Sequence, residues 1–251
     1  MRVRERIRAR KLEHRQRIKR AIVVSLIAIL LFGVIYANDY YRTDTESANN
    51  FLANSDVHKE YLKDGSIAYI PDNATTGIIF YPGGKVEYTA YEPLMQALAD
   101  KGIVAVLLKM PINLAILKTA AAEGIPELIP EVEHWYMAGH SLGGTAAASY
   151  VADNADKFDG LILLASYTTE DISATDLDVL SVYGSLDGVM NRDRYEKNLK
   201  NLPEGYTEQI IKGGNHSFFG MYGYQKNDQQ ATITNARQIK NTADIIAEFV
   251  K

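Results

Sequence analysis

The chain has 251 residues, of which 47% are hydrophobic and 23% charged, with 18 glycines and 7 prolines. This composition is that of a globular protein and excludes a disordered or fibrous chain. Residues 1–20 hold ten Lys and Arg against two Glu, whereas residues 21–251 hold 17 basic against 29 acidic residues. The acidic body gives no electrostatic basis for binding nucleic acid. The absence of cysteine excludes disulfides, a cysteine nucleophile and thiolate metal sites.

An apolar run follows the basic N-terminal segment. Residues 21–37 carry no charge, and as an α-helix they would reach about 25 Å, the short end of a membrane span. The positive-inside bias predicts that residues 1–20 stay in the cytoplasm. We therefore predict a single-pass anchor in the cell membrane with the rest of the chain outside the cytoplasm. A cleaved signal peptide, disfavoured by Ile35 near its cleavage position, and a buried or interfacial helix are the alternatives.

The rest of the chain divides into a linker and one domain. Residues 38–56 are polar and have no clear hydrophobic period, which predicts a spacer. Residues 57–251 are numerous enough for one catalytic domain with a sizeable core. The predicted organisation is therefore a basic cytoplasmic segment (1–20), a transmembrane anchor (21–37), a polar spacer (38–56) and the domain (57–251).

Short apolar runs alternate with longer amphipathic stretches through this domain. The alternation predicts an α/β fold, with a mostly parallel central sheet flanked by helices. Strands are expected at 66–70, 77–81, 103–108, 135–138, 161–165, 179–183 and 208–211. Helices are expected at 91–101, 114–123, 142–154, 191–202 and 236–250. In such a sheet, reactive groups belong on the loops beyond the carboxyl ends of the strands.

A nucleophile motif lies on one of these loops. Residues 139–143 read Gly-His-Ser-Leu-Gly, between a predicted apolar strand and a predicted Ala-rich helix. A serine on a tight strand-to-helix turn presents its hydroxyl clear of the sheet, and flanking glycines let the backbone fold closely. We predict that Ser141 is a nucleophile. A Gly-Ser turn that only links two elements is the alternative.

A serine nucleophile needs a general base. The chain has five histidines, and four of them lie in the basic segment, at the domain's edge, just before the motif strand or inside the motif. His216 remains, in a glycine-containing loop after the last predicted strand. A triad with the chain order Ser, acid, His needs an Asp or Glu between Ser141 and His216. Asp187, directly beyond a strand, is preferred to Asp171, which follows a longer loop, and to Asp178, which precedes its strand.

Two N–H donors are expected to hold the oxyanion that forms during acyl transfer. One is the backbone N–H of Leu142, which follows the candidate nucleophile. The other is expected in the loop after the strand that ends at Tyr81, from Gly83 or Gly84, with Lys85 as a third possibility. An ordinary Pro-Gly turn is the alternative for this loop.

With these residues assembled, the chain resembles a bacterial α/β-hydrolase family, the fold-5 group, which is loosely related to dienelactone hydrolases. The resemblance covers residues 65–250 and rests on YPGGKVEYTAYEPL (81–94), KMPINLA (109–115), AGHSLGG (138–144), YGSLDG (183–188) and GGNHSFFGMYGYQ (213–225). It implies an α/β-hydrolase fold, with Ser141 as nucleophile, Asp187 as acid and His216 as base. Dienelactone hydrolases use a cysteine nucleophile, which this chain lacks. A dienelactone is therefore disfavoured as the substrate.

The predicted function is a serine hydrolase that cleaves a carboxylic ester, with amides and thioesters as alternative substrates, through an acyl-enzyme on Ser141. A membrane-tethered acyltransferase using the same triad and a non-catalytic scaffold are the competing hypotheses. No metal or organic cofactor is needed for this chemistry. The expected partners are a small-molecule or envelope-derived ester and, through residues 21–37, the membrane. Residues 217–234 are expected either to wall the substrate pocket or to form a plain surface loop.

Overall fold

The computed structural model describes residues 2–53 and 57–250 of the chain. Residues 54–56, the last part of the predicted spacer, lie outside the described residues, as do Met1 and Lys251. The chain forms two compact units, residues 1–39 and residues 40–251. Each unit is described by itself below.

The first unit is a single helix, α1 (Arg2–Asn38). Its part from His14 to Asn38 is long and apolar enough to cross a membrane. The large apolar side chains between Ile22 and Ile35 are all exposed, as the side chains of a lipid-facing helix would be in the absence of a bilayer. The predicted apolar helix is therefore present, and it continues without a break into the basic segment.

The second unit is built from eight strands and six α-helices among the described residues. The strands are β1 (His58–Tyr61), β2 (Ile67–Ile70), β3 (Thr76–Tyr81), β4 (Val104–Leu107), β5 (His134–His140), β6 (Gly160–Leu164), β7 (Asp178–Gly184) and β8 (Thr207–Ile211). The helices are α2 (Thr45–Leu52), α3 (Glu92–Ala99), α4 (Ile125–Leu128), α5 (Leu142–Ala152), α6 (Arg192–Asn198) and α7 (Asn235–Phe249).

All eight strands form one sheet, in the order β1-β2-β4-β3-β5-β6-β7-β8. β2 pairs antiparallel with both β1 and β4. All the pairs that follow in this order, from β4-β3 to β7-β8, are parallel. Successive residues of a strand face opposite sides of a sheet, so Ile78 and Phe80 belong to a core with α3 and α7, whereas Ile79 and Tyr81 belong to a core with α5. The predicted fold class, a mostly parallel sheet with helices on both faces, is confirmed.

Most predicted elements agree with the structure to within a few residues, but the predicted helix at 114–123 is wrong. The chain there forms short 3₁₀ turns at Pro111–Asn113, Ala115–Leu117 and Thr119–Ala122. The Tyr81 hydroxyl donates to the Thr119 carbonyl and accepts the Ala122 N–H. Backbone groups that an α-helix would pair internally are therefore bonded to the end of β3.

Residues 40–53 are not a spacer, because they fold against the second unit. The Tyr41 N–H donates to the Lys85 carbonyl (2.8 Å), and the Tyr41 carbonyl accepts the Glu87 N–H (2.9 Å). Helix α2 follows, with Ala48 buried in the core that also contains α3 and α7. The compact domain therefore begins at Tyr40 rather than at residue 57.

We expect Tyr41→Ala to lower the free energy of unfolding by about 1–3 kcal/mol, in the usual range for a lost core or network contact. The Tyr41 ring lies 5.7 Å from the Tyr222 ring, and its hydroxyl accepts the Lys226 N–H at 3.0 Å. The substitution removes both contacts. Urea unfolding of the full chain in detergent, followed by the fluorescence of the single tryptophan, measures the change.

Tyr40→Ala is the matched control. The Tyr40 hydroxyl accepts a hydrogen bond from Arg42 in an exposed contact, and such surface contacts contribute little to stability. We expect its unfolding midpoint to stay close to that of the native chain. Equal destabilisation by the two substitutions would contradict a structural role for the Tyr41 contacts.

Candidate active site

Ser141 stands on a sharp turn between β5 and α5. β5 ends at His140, α5 begins at Leu142, and Ser141 between them has φ 53° and ψ −124°. A residue other than glycine rarely adopts a positive φ, and strain of this kind concentrates at functional sites. The predicted strand–turn–helix context of the motif is confirmed.

The two motif glycines are required by close backbone contacts. A Cβ on Gly139 would lie 2.5 Å from the carbonyl carbon of Gly143. A Cβ on Gly143 would lie 2.3 Å from the carbonyl oxygens of both Tyr81 and Pro82. A side chain at either position would push α5 away from the strand ends, so the spacing of the motif is explained by packing.

Asp187 and His216 form a buried pair. Asp187 Oδ2 lies 2.9 Å from His216 Nδ1, and their side chains are 2% and 1% exposed. The other carboxylate oxygen of Asp187 accepts the backbone N–H groups of Val189 (2.9 Å) and Met190 (2.8 Å). His216 Nε2 is buried and has no hydrogen-bond partner among the described residues.

Ser141 and His216 line one cavity of about 220 Å³, together with Leu142, Tyr167 and Met190. The competing acids lie elsewhere. Asp171 is exposed and accepts hydrogen bonds from Ser173. Asp178 begins β7, at the opposite end of the strand from the loop that carries Asp187. The structure therefore brings together Ser141, Asp187 and His216 and leaves both competitors outside.

Two of the three candidate oxyanion donors in the loop after β3 already donate hydrogen bonds within the protein. The Gly83 N–H donates to the Tyr91 hydroxyl (3.1 Å), and the Lys85 N–H donates to the Asn113 carbonyl (2.7 Å). Among the three candidates, this pairing favours Gly84 over Gly83 and Lys85, and the donor of the oxyanion site stays a prediction. The Gly84 N–H has no protein acceptor among the described residues.

Gly84 also lies against Leu142, the other predicted donor. A Cβ on Gly84 would lie 2.7 Å from Leu142 Cδ2 and 3.2 Å from Leu142 Cβ. Leu142 is the first residue of α5, where an N–H has no acceptor within the helix. The backbone N–H groups of Gly84 and Leu142 are therefore the pair best suited to hold an oxyanion.

A buried tyrosine and histidine connect this loop to the candidate base, and the sequence reasoning assigned no role to either. The Tyr91 hydroxyl accepts the Gly83 N–H and lies 2.8 Å from His140 Nδ1. The His140 ring in turn packs against the His216 ring, with centroids 4.6 Å apart. Burial, together with the neighbouring His216, holds the pKa of His140 well below its usual range. His140 is therefore neutral beside the His216 ring.

Asp228 is a further residue that the sequence reasoning missed. Its carboxylate accepts the N–H groups of Gly188 (3.1 Å), His216 (3.3 Å), Ser217 (2.8 Å) and Gln229 (3.0 Å), and also the Ser217 hydroxyl. One side chain thereby ties the loop of the candidate acid to the loop of the candidate base. Only its place in a polar stretch after the candidate base could have suggested this role.

The remaining predictions about the site concern its surroundings. No residue from 217–234 is among those that line the cavity beside Ser141. Phe218, Phe219 and Met221 are instead buried, and the Phe219 ring lies 5.4 Å from the His140 ring. Among the described residues, no three His, Asp or Glu side chains cluster as a metal site would require.

The sequence profile of the alpha/beta hydrolase family matches residues 77–240. The chain belongs to the alpha/beta hydrolase family. The family and fold expected from the sequence motifs are thereby confirmed. The roles of Ser141, Asp187 and His216 in catalysis stay predictions. No curated protein sequence matches the chain.

Solved structures of similar fold include other hydrolases. The protein TT1662 of Thermus thermophilus has a TM-score of 0.57 at 15% identity, over 77% of this chain and 98% of that one. A predicted CIB-like hydrolase of Thermoplasma acidophilum has a TM-score of 0.54 at 15% identity, over 76% and 98%. A dienelactone hydrolase of Anabaena variabilis has a TM-score of 0.57 at 14% identity, over 77% and 96%. At this identity the likeness shows the fold alone.

We expect Asp228→Asn to lower kcat/KM for a short ester by about tenfold to a hundredfold, because small displacements of catalytic groups carry penalties of this size. The asparagine amide nitrogen cannot accept the N–H and O–H groups that one carboxylate oxygen receives. The loss should fall mainly on kcat, because Asp228 supports the loops without lining the cavity. Steady-state kinetics at several substrate concentrations separate kcat from KM.

Asp171→Asn is the control for this change. Asp171 also accepts the backbone N–H and the hydroxyl of the serine two residues on, but it is exposed and contacts neither loop of the site. We expect native kinetics from it. If both variants lost activity equally, or if Asp228→Asn raised KM alone, the positioning role would be contradicted.

Proposed function

We propose that this chain is a serine hydrolase that cleaves carboxylic esters through an acyl-enzyme on Ser141. The observation that carries the proposal is the buried Asp187–His216 pair, whose histidine lines the same cavity as a serine held at positive φ. A buried carboxylate against an imidazole costs desolvation, so such a pair beside a strained serine is better explained by catalysis than by stability.

Acylation follows from these groups. His216 Nε2 takes the proton of the Ser141 hydroxyl as the oxygen attacks the ester carbonyl, and the ionised Asp187 stabilises the imidazolium that forms. The N–H groups of Gly84 and Leu142 hold the negative charge on the carbonyl oxygen. The tetrahedral intermediate then collapses, and His216 gives its proton to the departing alcohol.

Deacylation uses the same groups in reverse. Water loses a proton to His216 as it attacks the acyl-enzyme. The bond to Ser141 Oγ then breaks, His216 returns the proton to that oxygen, and the carboxylic acid is released. The neutral state of His140 supports both steps, because a second positive ring 4.6 Å away would oppose protonation of His216.

The cavity supports a short acyl group as substrate. Its volume of about 220 Å³ is below the roughly 300–1,000 Å³ that is typical of sites for drug-sized ligands. It holds the equivalent of about seven water molecules at about 30 Å³ each. A cavity of this size accommodates an acetyl or butyryl group, so esters of these acids are the substrates chosen for the test.

We expect Ser141→Ala to abolish hydrolysis of p-nitrophenyl acetate and butyrate, because removing a triad nucleophile costs about 10⁶-fold in kcat in a comparable enzyme. Covalent labelling by a fluorophosphonate probe should be lost as well. Both are measured on the full chain in detergent, by absorbance and by in-gel fluorescence.

Ser173→Ala is the matched control, since Ser173 is an exposed serine remote from the cavity. We expect it to be labelled and to hydrolyse ester like the native chain. Labelling that survives in Ser141→Ala would refute the assignment of the nucleophile.

We further propose that helix α1 is an uncleaved anchor in the cell membrane, with residues 1–20 in the cytoplasm and the hydrolase domain on the other side. The support is the exposed apolar stretch of α1 and the ten basic residues that precede it. The enzyme would then act on esters outside the cytoplasm.

Single cysteines test this topology, because the native chain has none. In intact cells, we expect a membrane-impermeant maleimide to modify Ser173→Cys and not Arg8→Cys, since only the first position lies in the domain. Permeabilised cells, in which both should react, provide the control. Labelling of Arg8→Cys alone, or a shortened soluble form of the chain, would refute the proposed anchor.

A further inference from the structure

Residues 109–118, here called the rim segment, expose apolar side chains close together. Ile112 is 45% exposed, Ile116 60% and Leu117 57%. Scattered exposed apolar side chains are normal, but a group of them within six residues indicates a surface that contacts something apolar. The rim segment therefore has the character of a docking surface.

The rim segment is anchored to the domain by two buried side chains and by a backbone hydrogen bond. Met110 and Ala115 are buried in the core beside α5, and the Asn113 carbonyl accepts the Lys85 N–H at 2.7 Å. Ile112 has φ 43° and ψ 33°, a conformation that β-branched residues rarely adopt. The exposure of these side chains thus belongs to an ordered part of the domain beside the loop that carries Gly84.

The charge of the rim segment is opposite to that of the rest of the domain. Residues 101–122 contain three lysines and no acidic residue, whereas residues 21–251 as a whole hold 17 basic against 29 acidic residues. Lys109 and Lys118 bracket the exposed apolar side chains. Lys118 also lies 3.4 Å from Asp64, and Lys109 lies 5.7 Å from the centre of the Tyr88 ring. Both lysines keep exposed side chains.

We propose that the rim segment docks on the surface of an anionic phospholipid bilayer. Apolar side chains that enter the acyl boundary, flanked by lysines that pair with phosphate groups, are the combination by which proteins bind such surfaces. The chain also carries helix α1, which is long and apolar enough to cross a bilayer, so a bilayer is the apolar phase to which this domain is tethered. The inference requires that α1 inserts, but it does not depend on the chemistry at Ser141.

Docking of the rim segment on a bilayer would favour ester substrates that reside in the membrane. The loop with Gly84 is joined to the rim segment through Lys85 and Asn113, so the candidate oxyanion donors would work close to the lipid surface. Together with the small cavity beside Ser141, this favours short acyl esters on molecules that reside in the membrane.

The absence of cysteine makes a direct test possible. Ile116→Cys and Leu117→Cys are labelled with the environment-sensitive dye NBD in the full chain, which is then reconstituted into vesicles of phosphatidylcholine and phosphatidylglycerol. We expect blue-shifted NBD emission and its loss when lipids with a nitroxide on the acyl chain are included. Vesicle flotation of the same samples reports insertion of α1 separately.

Leu128→Cys and Ile210→Cys are the matched controls. Leu128 is 60% exposed, like Ile116, but it stands between Glu127 and Glu131, and Ile210 is 51% exposed on the edge strand β8. Dyes at both positions should keep their emission. Quenching at Ile116 no stronger than at Leu128 would overturn the proposal.

Two further outcomes would also overturn it. Equal quenching at Ile116 in pure phosphatidylcholine vesicles would remove the anionic surface as the partner. A blue shift that rises with the ratio of protein to lipid, without quenching by nitroxide lipids, would identify a second copy of the chain as the occupant. Weaker quenching in the double variant Lys109→Gln, Lys118→Gln would support the proposal.

Discussion

Gly143, on the first turn of α5, lies so close to the carbonyl oxygens of Tyr81 and Pro82 that no side chain fits between them. This contact fixes the start of α5 against the end of β3. Gly139 makes the reciprocal approach to the backbone of Gly143, and Ser141 between them is left with a positive φ. The N–H of Leu142 and the loop with Gly84 are thereby brought together before any substrate binds. Preorganised donors of this kind cost nothing to reorient during the reaction.

The buried polar side chains near this contact have hydrogen-bond partners. Asp187 is buried, yet every partner expected of an ionised carboxylate is present, from the His216 ring to two backbone N–H groups. His140 is buried beside His216 and stays neutral, because burial lowers its pKa. His140 therefore adds no positive charge beside the Asp187–His216 pair. Removing either partner of a buried pair would leave the other uncompensated.

The sequence predicted the parallel strands well, because strands buried on both faces are continuous apolar runs. It missed β1, whose residues His-Lys-Glu-Tyr lie at an exposed edge, and α2, whose eight residues are too few to show a period. The predicted helix at 114–123 failed for a different reason. Its alanines favour a helix locally, but a tyrosine hydroxyl from β3 takes two of the backbone groups.

The candidate nucleophile, acid and base were predictable because each follows a strand end in a fixed order along the chain. Tyr91 and Asp228 were not, because they meet the candidate site through contacts that no local pattern encodes. Tyr91 is 49 residues from His140 in sequence, and Asp228 is 40 residues from Gly188. A residue that positions another acts through distance in space, and a single sequence does not reveal that distance.

Contacts between distant residues also connect the candidate site to residues that precede the part of the chain matched by the family profile. The loop after β3 is bonded at Gly83 by Tyr91, at the Lys85 N–H by Asn113 and at the Lys85 carbonyl by Tyr41. These contacts occupy polar backbone groups on either side of Gly84, whereas the Gly84 N–H has no acceptor among the described residues. Tyr41 lies outside residues 77–240, which the family profile matches. Residues 40–53 therefore belong to the same compact unit as the candidate site, and Tyr41 contacts the loop that carries Gly84.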